Sequence, residues 1–416
     1  MKVYIETYGC TANKSDERLL IGLVTCQGHQ IVHDMNTADV LVLLTCTVIG
    51  TTEQRMLSRL KVFVKTQKKI IVAGCMPSVQ ADLITSIAPH ASLLPAPHIQ
   101  YINDIISGTP PALMDEKKTT QPKLYESVIA PVMIAEGCRL ACSYCITRFA
   151  RGALRSFPIE DVVADVRTAL HQGCKEIQLT AQDTASYGLD LGTHLGALLK
   201  RIHALDGMFR VRIGMMNPAT TKRHLDQILS GYQHQKVYKF LHLPVQSGDN
   251  DILQKMNRGY TEGDFTTLVQ RFRRILPTLT LSTDVIVGFP TETEEQFHHT
   301  VELLEKIKPD IINITRFSAR PLTPAKKMNG RVPTKIVKDR SKKITEFSST
   351  LSLEANRKHL GKTYSVLVTE TGKKRTVTGR AENYKQVVLT DSIGIGEVVD
   401  VEIIDAAPTY LVGKLI

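Results

Sequence analysis

Apolar residues recur along this chain in two alternating periods. Across residues 1–105, short runs rich in Val and Ile at Val3–Thr7, Val40–Thr45 and Ile70–Ala73 alternate with helix-like segments near Ser15–Gln27 and Thr52–Gln67. Such alternation predicts a parallel sheet whose strands end along one ligand-binding edge. Residues 108–127 lack an apolar period and predict a linker. Further strands are predicted at Pro131–Ala135, Glu176–Thr180, Arg210–Met215, Tyr238–Leu243, Ser282–Val287 and Ile311–Phe317. Helices are predicted between them at Pro158–Gln172, Leu195–Leu205, Thr221–Gly231, Thr261–Ile275 and Glu294–Lys306. Six βα units are too few for an eightfold barrel and fit an open, partial one, its active edge at the strand C-termini. A basic helix over 334–358 follows. Then Tyr364–Thr369, Thr376–Ala381, Gln386–Thr390, Val398–Ile404 and Tyr410–Ile416 show the β-branched alternation of a small five-stranded barrel. The expected fold class is α/β in three units: 1–107, 128–357 after the linker at 108–127, and 358–416.

The candidate chemistry is cysteine chemistry. Each of the first three strands runs into a cysteine, in Tyr8-Gly9-Cys10, Thr45-Cys46 and Gly74-Cys75. On a parallel sheet these three converge, which suggests a three-cysteine cluster site; small buried cysteines at strand ends are the plainer alternative. A second set, Cys138-x3-Cys142-x2-Cys145, follows the apolar run Pro131-Val132-Met133-Ile134-Ala135. Three thiolates in one loop can hold three irons of a cubane cluster and leave the fourth open to bind and split a cofactor. Cys26 and Cys174 fit neither set and are expected to be ordinary core or surface thiols.

Bulk composition narrows the class. The chain has 416 residues, 43% hydrophobic and 22% charged, ordinary for a globular protein with a sizeable core. No apolar run is long enough to span a bilayer, and no leader pattern opens the chain, so a cytoplasmic setting, which keeps thiols reduced, is expected. The net charge of +11 is concentrated late: residues 321–357 carry nine basic and three acidic groups. That stretch, with Lys338, Arg340, Lys342 and Lys343, reads either as a solvated helix face or as a phosphate-binding patch. Lys373, Lys374 and Arg375 at a barrel turn, with Arg380, Tyr384 and Lys385 nearby, offer cations and one aromatic for RNA; a solvated hairpin tip explains the first three equally well.

The ordered motifs resemble the radical S-adenosylmethionine (SAM) methylthiotransferases along nearly the whole chain. They are Gly9-Cys10-x-x-Asn13-x-x-Asp16, Cys46-Thr47-Val48, Ala73-Gly74-Cys75, the triple-cysteine loop with Arg151-Gly152, His242-Leu243-Pro244-Val245-Gln246-Ser247-Gly248, and Asp284-Val285-Ile286-Val287-Gly288-Phe289-Pro290. Ala150-Arg151-Gly152-Ala153-Leu154, Gly192-Thr193 and Arg212-Ile213-Gly214-Met215-Met216-Asn217-Pro218 look most like the archaeal and eukaryotic branch acting on threonylcarbamoyladenosine in tRNA. Gln182-Asp183-Thr184 also looks like the branch acting on a ribosomal-protein aspartate, and a third branch acts on isopentenyladenosine tRNA.

The resemblance implies an N-terminal cluster domain, a radical-SAM domain and a TRAM domain. It implies two [4Fe-4S] clusters, on Cys10, Cys46 and Cys75 and on Cys138, Cys142 and Cys145. The second would cleave SAM to a radical that takes hydrogen from C2 of the modified adenosine at position 37, in the anticodon loop; the first would carry sulfur; a second SAM would give the methyl group. A one-electron donor such as ferredoxin or flavodoxin is implied, with a sulfur source that the residues do not name and no membrane partner. SAM contacts are expected at strand ends, from Gln182, Asp183, Gln246, Ser247, Gly288 and Pro290, with turn capping as the alternative for Asp183 and Ser247. A non-catalytic iron–sulfur RNA-binding or redox-sensing protein is a remoter reading. Two residues depart from the pattern: Thr291 and Leu322 stand where Gly is usual. Leu disfavours a positive φ, so the turn before the basic helix is expected to differ.

Overall fold

The computed structural model of the chain describes residues 1–109, 118–373 and 375–416. The N-terminal sheet contains β1 (Lys2–Thr7), β2 (Gln30–Ile31), β3 (Val40–Thr45), β4 (Lys69–Gly74) and β5 (Ser92–Pro95), in the order β2-β1-β3-β4-β5 with every pair parallel. All six residues of β3 are buried, as a central strand covered by helices on both faces requires. The helices Thr11–Cys26 and Gly50–Val64 lie close to where the apolar periods put them. The short strands β2 and β5 carry too few residues to show a period.

The central unit holds β6 (Ile129–Met133), β7 (Ala135–Glu136), β8 (Arg155–Ser156), β9 (Glu176–Thr180), β10 (Arg210–Ile213), β11 (Phe240–His242), β12 (Thr280–Val287) and β13 (Ile311–Arg316). Strands β6, β9 and β10 form one parallel sheet, and β11, β12 and β13 another. A parallel bridge from Val211 to Val237 joins them, giving six strands in sequence order. Strands β7 and β8 form a small antiparallel ribbon. The expected helix over Thr221–Gly231 is broken at His224 into Pro218–Arg223 and Leu225–Tyr232.

The C-terminal unit is a closed barrel of β14 (Thr363–Thr371), β15 (Val377–Ala381), β16 (Gln386–Leu389), β17 (Val398–Ala406) and β18 (Leu411–Leu415), in the order β14-β15-β16-β18-β17. The helix Thr334–Arg357 precedes it.

Two expectations are corrected. The described end of the supposed linker is a packed strap. Lys118 and Lys123 are buried there in ion pairs with Glu136 and Asp165, and the strap runs so close to the first helix that a Cβ on Gly22 would stand 2.3 Å from the Pro122 carbonyl oxygen. The turns at the two departures keep the left-handed backbone: φ is +70° at Thr291 and +63° at Leu322. Thr291 N–H donates to Gly330 O at 2.7 Å, which holds that turn in place, and Leu322 is exposed, so its side chain meets no packing conflict.

Candidate active site

The N-terminal edge is built by three adjacent strands. Cys10, Cys46 and Cys75 directly follow, or lie three residues beyond, the ends of β1, β3 and β4, and each of the three thiols lies within the electrostatic field of the others. Glycines shape the approach. A Cβ on Gly9 would fall 2.8 Å from Cys46 Cβ, and one on Gly74 would fall 2.6 Å from Thr45 O. Cys10 is the N-cap residue of the helix Thr11–Cys26, and Cys75 opens the short helix Cys75–Val79. Burial raises the Cys46 thiol and pushes Cys75 to about 11. A bound cation would displace those protons.

The second set lies beyond β6. Gly137, at φ +78°, cannot carry a side chain because a Cβ would meet Ala153 O at 1.9 Å; the close pass lets Cys138 N–H donate to Gly152 O at 3.2 Å. Ser143 N–H donates to Met256 O at 3.0 Å and its hydroxyl to Lys255 O at 2.8 Å, so the loop is held by its backbone rather than by its sulfurs. Donors also face the sulfurs: Leu140 N–H stands 3.4 Å from Cys138 Sγ, and Arg258 Nη1 stands 3.3 Å from Cys142 Sγ. Burial raises the Cys138 thiol to about 12 and raises Cys145.

Among the described residues no three Cys, His, Asp or Glu side chains close to the spacing of a single-ion site. A single ion draws thiolates to about 2.3 Å, whereas a cubane spreads its ligands over a larger body. Three mutually interacting thiols with N–H donors aimed at sulfur suit such an anionic centre.

A buried ion network joins the two edges. Arg151, one turn beyond the cysteine loop, donates to Asn13 Oδ1 at 2.9 Å, Asp16 Oδ2 at 2.6 Å and Glu136 Oε1 at 2.9 Å. Asn13 in turn donates to the carbonyls of Tyr8 and Thr45, beside Cys10 and Cys46. At the far end of the barrel Arg320 pairs with Glu53 and donates to Thr47 Oγ1 at 3.2 Å, next to Cys46. The first and last parts of the partial barrel thus clamp the same N-terminal edge.

The expected SAM contacts divide. Gln182 Oε1 accepts from Gly137 N–H at 2.7 Å, which places it on the cysteine loop. Asp183 Oδ1 accepts from Asn217 N–H at 2.9 Å and Ala185 N–H at 3.2 Å, while its buried Oδ2 has no hydrogen-bond partner among the described residues, Thr220 standing near enough only to moderate its charge. An orphaned carboxylate oxygen near Cys138 is what a cationic or hydroxylated ligand would satisfy.

Gln246 is buried at φ +70° and is bridged to Val285 on β12. Ser247 is a turn residue, accepting from Asp249 N–H at 3.2 Å and facing Thr300. Gly288 lies against protein on the side where a Cβ would stand, 2.4 Å from Val337 of the helix Thr334–Arg357. Pro290 is buried.

The RNA candidates divide as well. Lys338, Lys342, Lys343, Lys373 and Arg375 are exposed, whereas Lys374 lies outside the described residues. Arg340 is buried against Glu292 at 2.8 Å and Glu294 at 3.0 Å, which removes it from the phosphate patch. Tyr384 and Lys385 are also engaged inward. Tyr384 packs against Tyr238 and Phe240 and hydrogen-bonds Glu176 at 2.9 Å, and Lys385 bonds Asp310 at 2.7 Å. They join the barrel to the N-terminal ends of the central strands, opposite the cysteines. Arg258, Arg320 and Glu136 escaped the sequence reading because nothing local separates them from surface charges. Cys26 is exposed and Cys174 is a core thiol bonded to Ser127 O, as expected.

Asp183 carries a pH prediction. Burial raises its carboxyl from 3.8 to about 6. The folded form therefore retains a proton that the unfolded chain has released, and that contribution to stability, complete below 3.8, is lost as pH rises through about 6. Asp183→Asn keeps an oxygen for the two N–H donors and removes the charge. Its gain in unfolding free energy, measured by denaturant titration of iron-free protein, is expected to be larger by of order 2 kcal/mol at pH 8 than at pH 4.5. An equal gain at both would contradict the assignment.

Comparison with known proteins bears directly on this arrangement. Residues 2–95 match the uncharacterized protein family UPF0004, 132–304 the radical SAM superfamily and 357–416 the TRAM domain. A probable threonylcarbamoyladenosine tRNA methylthiotransferase of Pyrococcus abyssi is 43% identical, over 100% of this chain and 99% of the relative. The chain belongs to the radical-SAM methylthiotransferase family. A second methylthiotransferase, the threonylcarbamoyladenosine tRNA enzyme of Drosophila melanogaster, is 34% identical over 100% of this chain and 78% of its own length. Among solved structures, the radical SAM methyltransferase TsrM of Kitasatospora setae, with cobalamin and a [4Fe-4S] cluster bound, shares the fold. The TM-score is 0.59 at 14% identity, covering 78% of this chain and 73% of that one. Methylthiotransferases of the radical-SAM type are enzymes that bind a [4Fe-4S] cluster and SAM. Among the described residues no helix is long and apolar enough to cross a membrane.

Proposed function

We propose that this chain is the methylthiotransferase that places a methylthio group on C2 of N6-threonylcarbamoyladenosine at position 37 of tRNA. The observation that carries the reading is that two three-cysteine edges, on two parallel sheets, are tied to each other through Arg151 and Asn13. Cys138, Cys142 and Cys145 would hold the SAM-cleaving [4Fe-4S] cluster, and Cys10, Cys46 and Cys75 an auxiliary one. When bound, these groups supply the electron that splits SAM, and the sulfur for the inert carbon. Asp183 Oδ2 offers the unsatisfied acceptor for SAM, and Gln182 sets the loop that faces it. Arg151 holds the two edges in register and, with Glu136, Asp16 and Lys118, fills their junction with satisfied charge. A low-potential one-electron donor such as ferredoxin or flavodoxin would serve the first cluster. Eight unpaired cysteines suit a reducing, cytoplasmic setting. The three units, 1–107, 128–357 and 358–416, would divide the work into sulfur delivery, radical chemistry and docking.

The tRNA would lie along the helix Thr334–Arg357, whose Val337 packs on Gly288 at the C-terminal end of β12. Lys338, Lys342 and Lys343 are exposed there, so binding should weaken steeply as salt rises. Replacing the three with Gln is expected to flatten the salt dependence by about two to three counter-ions. The same change should leave tRNA-independent SAM cleavage intact. The decisive comparison is one tRNA bearing adenosine, isopentenyladenosine or threonylcarbamoyladenosine. Turnover is expected only with the last, because a pocket built for its carboxylate would leave buried donors unpaired with the others. Equal turnover of all three, or modification of a ribosomal protein, would overturn the substrate.

A further inference from the structure

Four arginines are buried among the described residues: Arg151, Arg258, Arg320 and Arg340. Three rest on carboxylates, Arg151 on Asp16 and Glu136, Arg320 on Glu53 and Arg340 on Glu292. Arg258 rests on none. Its Nε donates to the Tyr260 hydroxyl at 3.2 Å, its Nη2 to Pro244 O at 3.2 Å and its Nη1 to Cys142 Sγ at 3.3 Å. The Tyr260 ring lies 5.3 Å from the guanidinium carbon, and its hydroxyl is fixed to Val245 O at 2.6 Å. Asp183 and Asp284 feel the charge of Arg258, yet neither forms an ion pair with it.

A guanidinium does not shed its proton in a protein, and burying it is costly unless negative charge stands against it. Two neutral oxygens orient Arg258 without compensating it. Among the described residues the one remaining partner able to carry negative charge at hydrogen-bonding distance is the sulfur of Cys142. The same turn also grips the loop's backbone: Lys255 O and Met256 O accept from Ser143, and Asn257 Nδ2 donates to Ala141 O at 2.8 Å.

We infer that Arg258 is a positioning residue of the Cys138, Cys142 and Cys145 centre, fixing the middle sulfur and compensating the negative charge of the reduced cluster so that an external one-electron donor can fill it. The inference rests on the reading of this loop as a cluster site. One electron enters from the donor, no proton moves, and the added negative charge is met by a cation already in place.

The test uses the full chain with Cys10, Cys46 and Cys75 replaced by Ala, so that one cluster is observed, and compares it with the same chain carrying Arg258→Lys or Arg258→Met. Iron per chain, thermal unfolding and the reduced fraction at one fixed ambient potential, read by electron paramagnetic resonance, are measured. Arg258→Met is expected to lower the ratio of reduced to oxidised cluster by about tenfold or more, about 59 mV for a one-electron couple. Arg258→Lys, which keeps the charge, should stay within about threefold of the parent. An unshifted ratio in iron-loaded Arg258→Met, or equal shifts in both variants, overturns the inference. Should Arg258→Met fail to fold, Arg258→Gln takes its place and must show the same loss. Failure of the parent itself to load iron would instead overturn the cluster reading.

Discussion

Replacement of Cys138, Cys142 and Cys145 together by Ala is expected to abolish 5′-deoxyadenosine formation and to halve the iron of anaerobically reconstituted protein, from about eight per chain for two cubanes. The chain should still fold. The loop's backbone is fixed by Cys138 N–H to Gly152 O, by Cys145 N–H to Cys142 O and by Ser143 to the turn at Lys255 and Met256, none of which involves sulfur. Removing three desolvated thiols leaves donors without their sulfur acceptors, among them Leu140 N–H, which faced Cys138, and Arg258 Nη1, which faced Cys142. A modest loss of about 1–2 kcal/mol is therefore expected in the iron-free protein, set against complete loss of SAM cleavage. The reciprocal change at Cys10, Cys46 and Cys75 should also halve the iron but leave SAM cleavage measurable and stop sulfur insertion. Detection of 5′-deoxyadenosine from the first variant, or full methylthiolation by the second, would show that the two sets had been given the wrong roles.

What could be read from sequence followed its periodicity. Strands such as Val40–Thr45 and Glu176–Thr180 are apolar runs bounded by breakers, and parallel order follows once helices intervene. Convergence of Cys10, Cys46 and Cys75 required only that β1, β3 and β4 be neighbours, which the sheet order provides. The failures share a cause: charge at a position does not reveal where that charge points. Arg340 and Lys385 sit in basic stretches that look solvated, yet both turn inward to carboxylates that lie 46–48 and 75 residues away in sequence. Lys118 and Lys123 were hidden in the same way inside an apparent linker. Gly288 was legible as a special position but its protein neighbour was not: Val337, which packs where a Cβ would stand, lies 49 residues away in sequence.

Tyr384 shows how much of the architecture depends on such inward residues, and Tyr384→Ala is expected to destabilise the central unit as well as the C-terminal barrel that carries it. The ring packs 4.8 Å from Tyr238 and 4.9 Å from Phe240, between centroids, with the Arg212 and Arg380 guanidinium carbons 5.5 and 4.8 Å from its own centroid. Its hydroxyl donates to Glu176, a carboxylate buried at the start of β9, and accepts from Gln178 at 3.2 Å. Truncation removes an aromatic contact and a charge-assisted hydrogen bond from a junction between two units, for a loss of about 3 kcal/mol. Tyr384→Phe isolates the hydroxyl and should cost about 1–2 kcal/mol. The backbone supplies an internal control. Tyr384 sits at φ +65°, a conformation that Ala adopts at a cost and Gly does not, so Tyr384→Gly should be less harmful than Tyr384→Ala by about 1 kcal/mol although it removes one more carbon. Denaturant titration followed at probes in both units would test the coupling. If Tyr384→Ala melts the small barrel early and leaves the central unit's midpoint unchanged, the hairpin is only an attachment. A shared shift of both midpoints would make the residue part of the floor on which the radical-SAM strands stand.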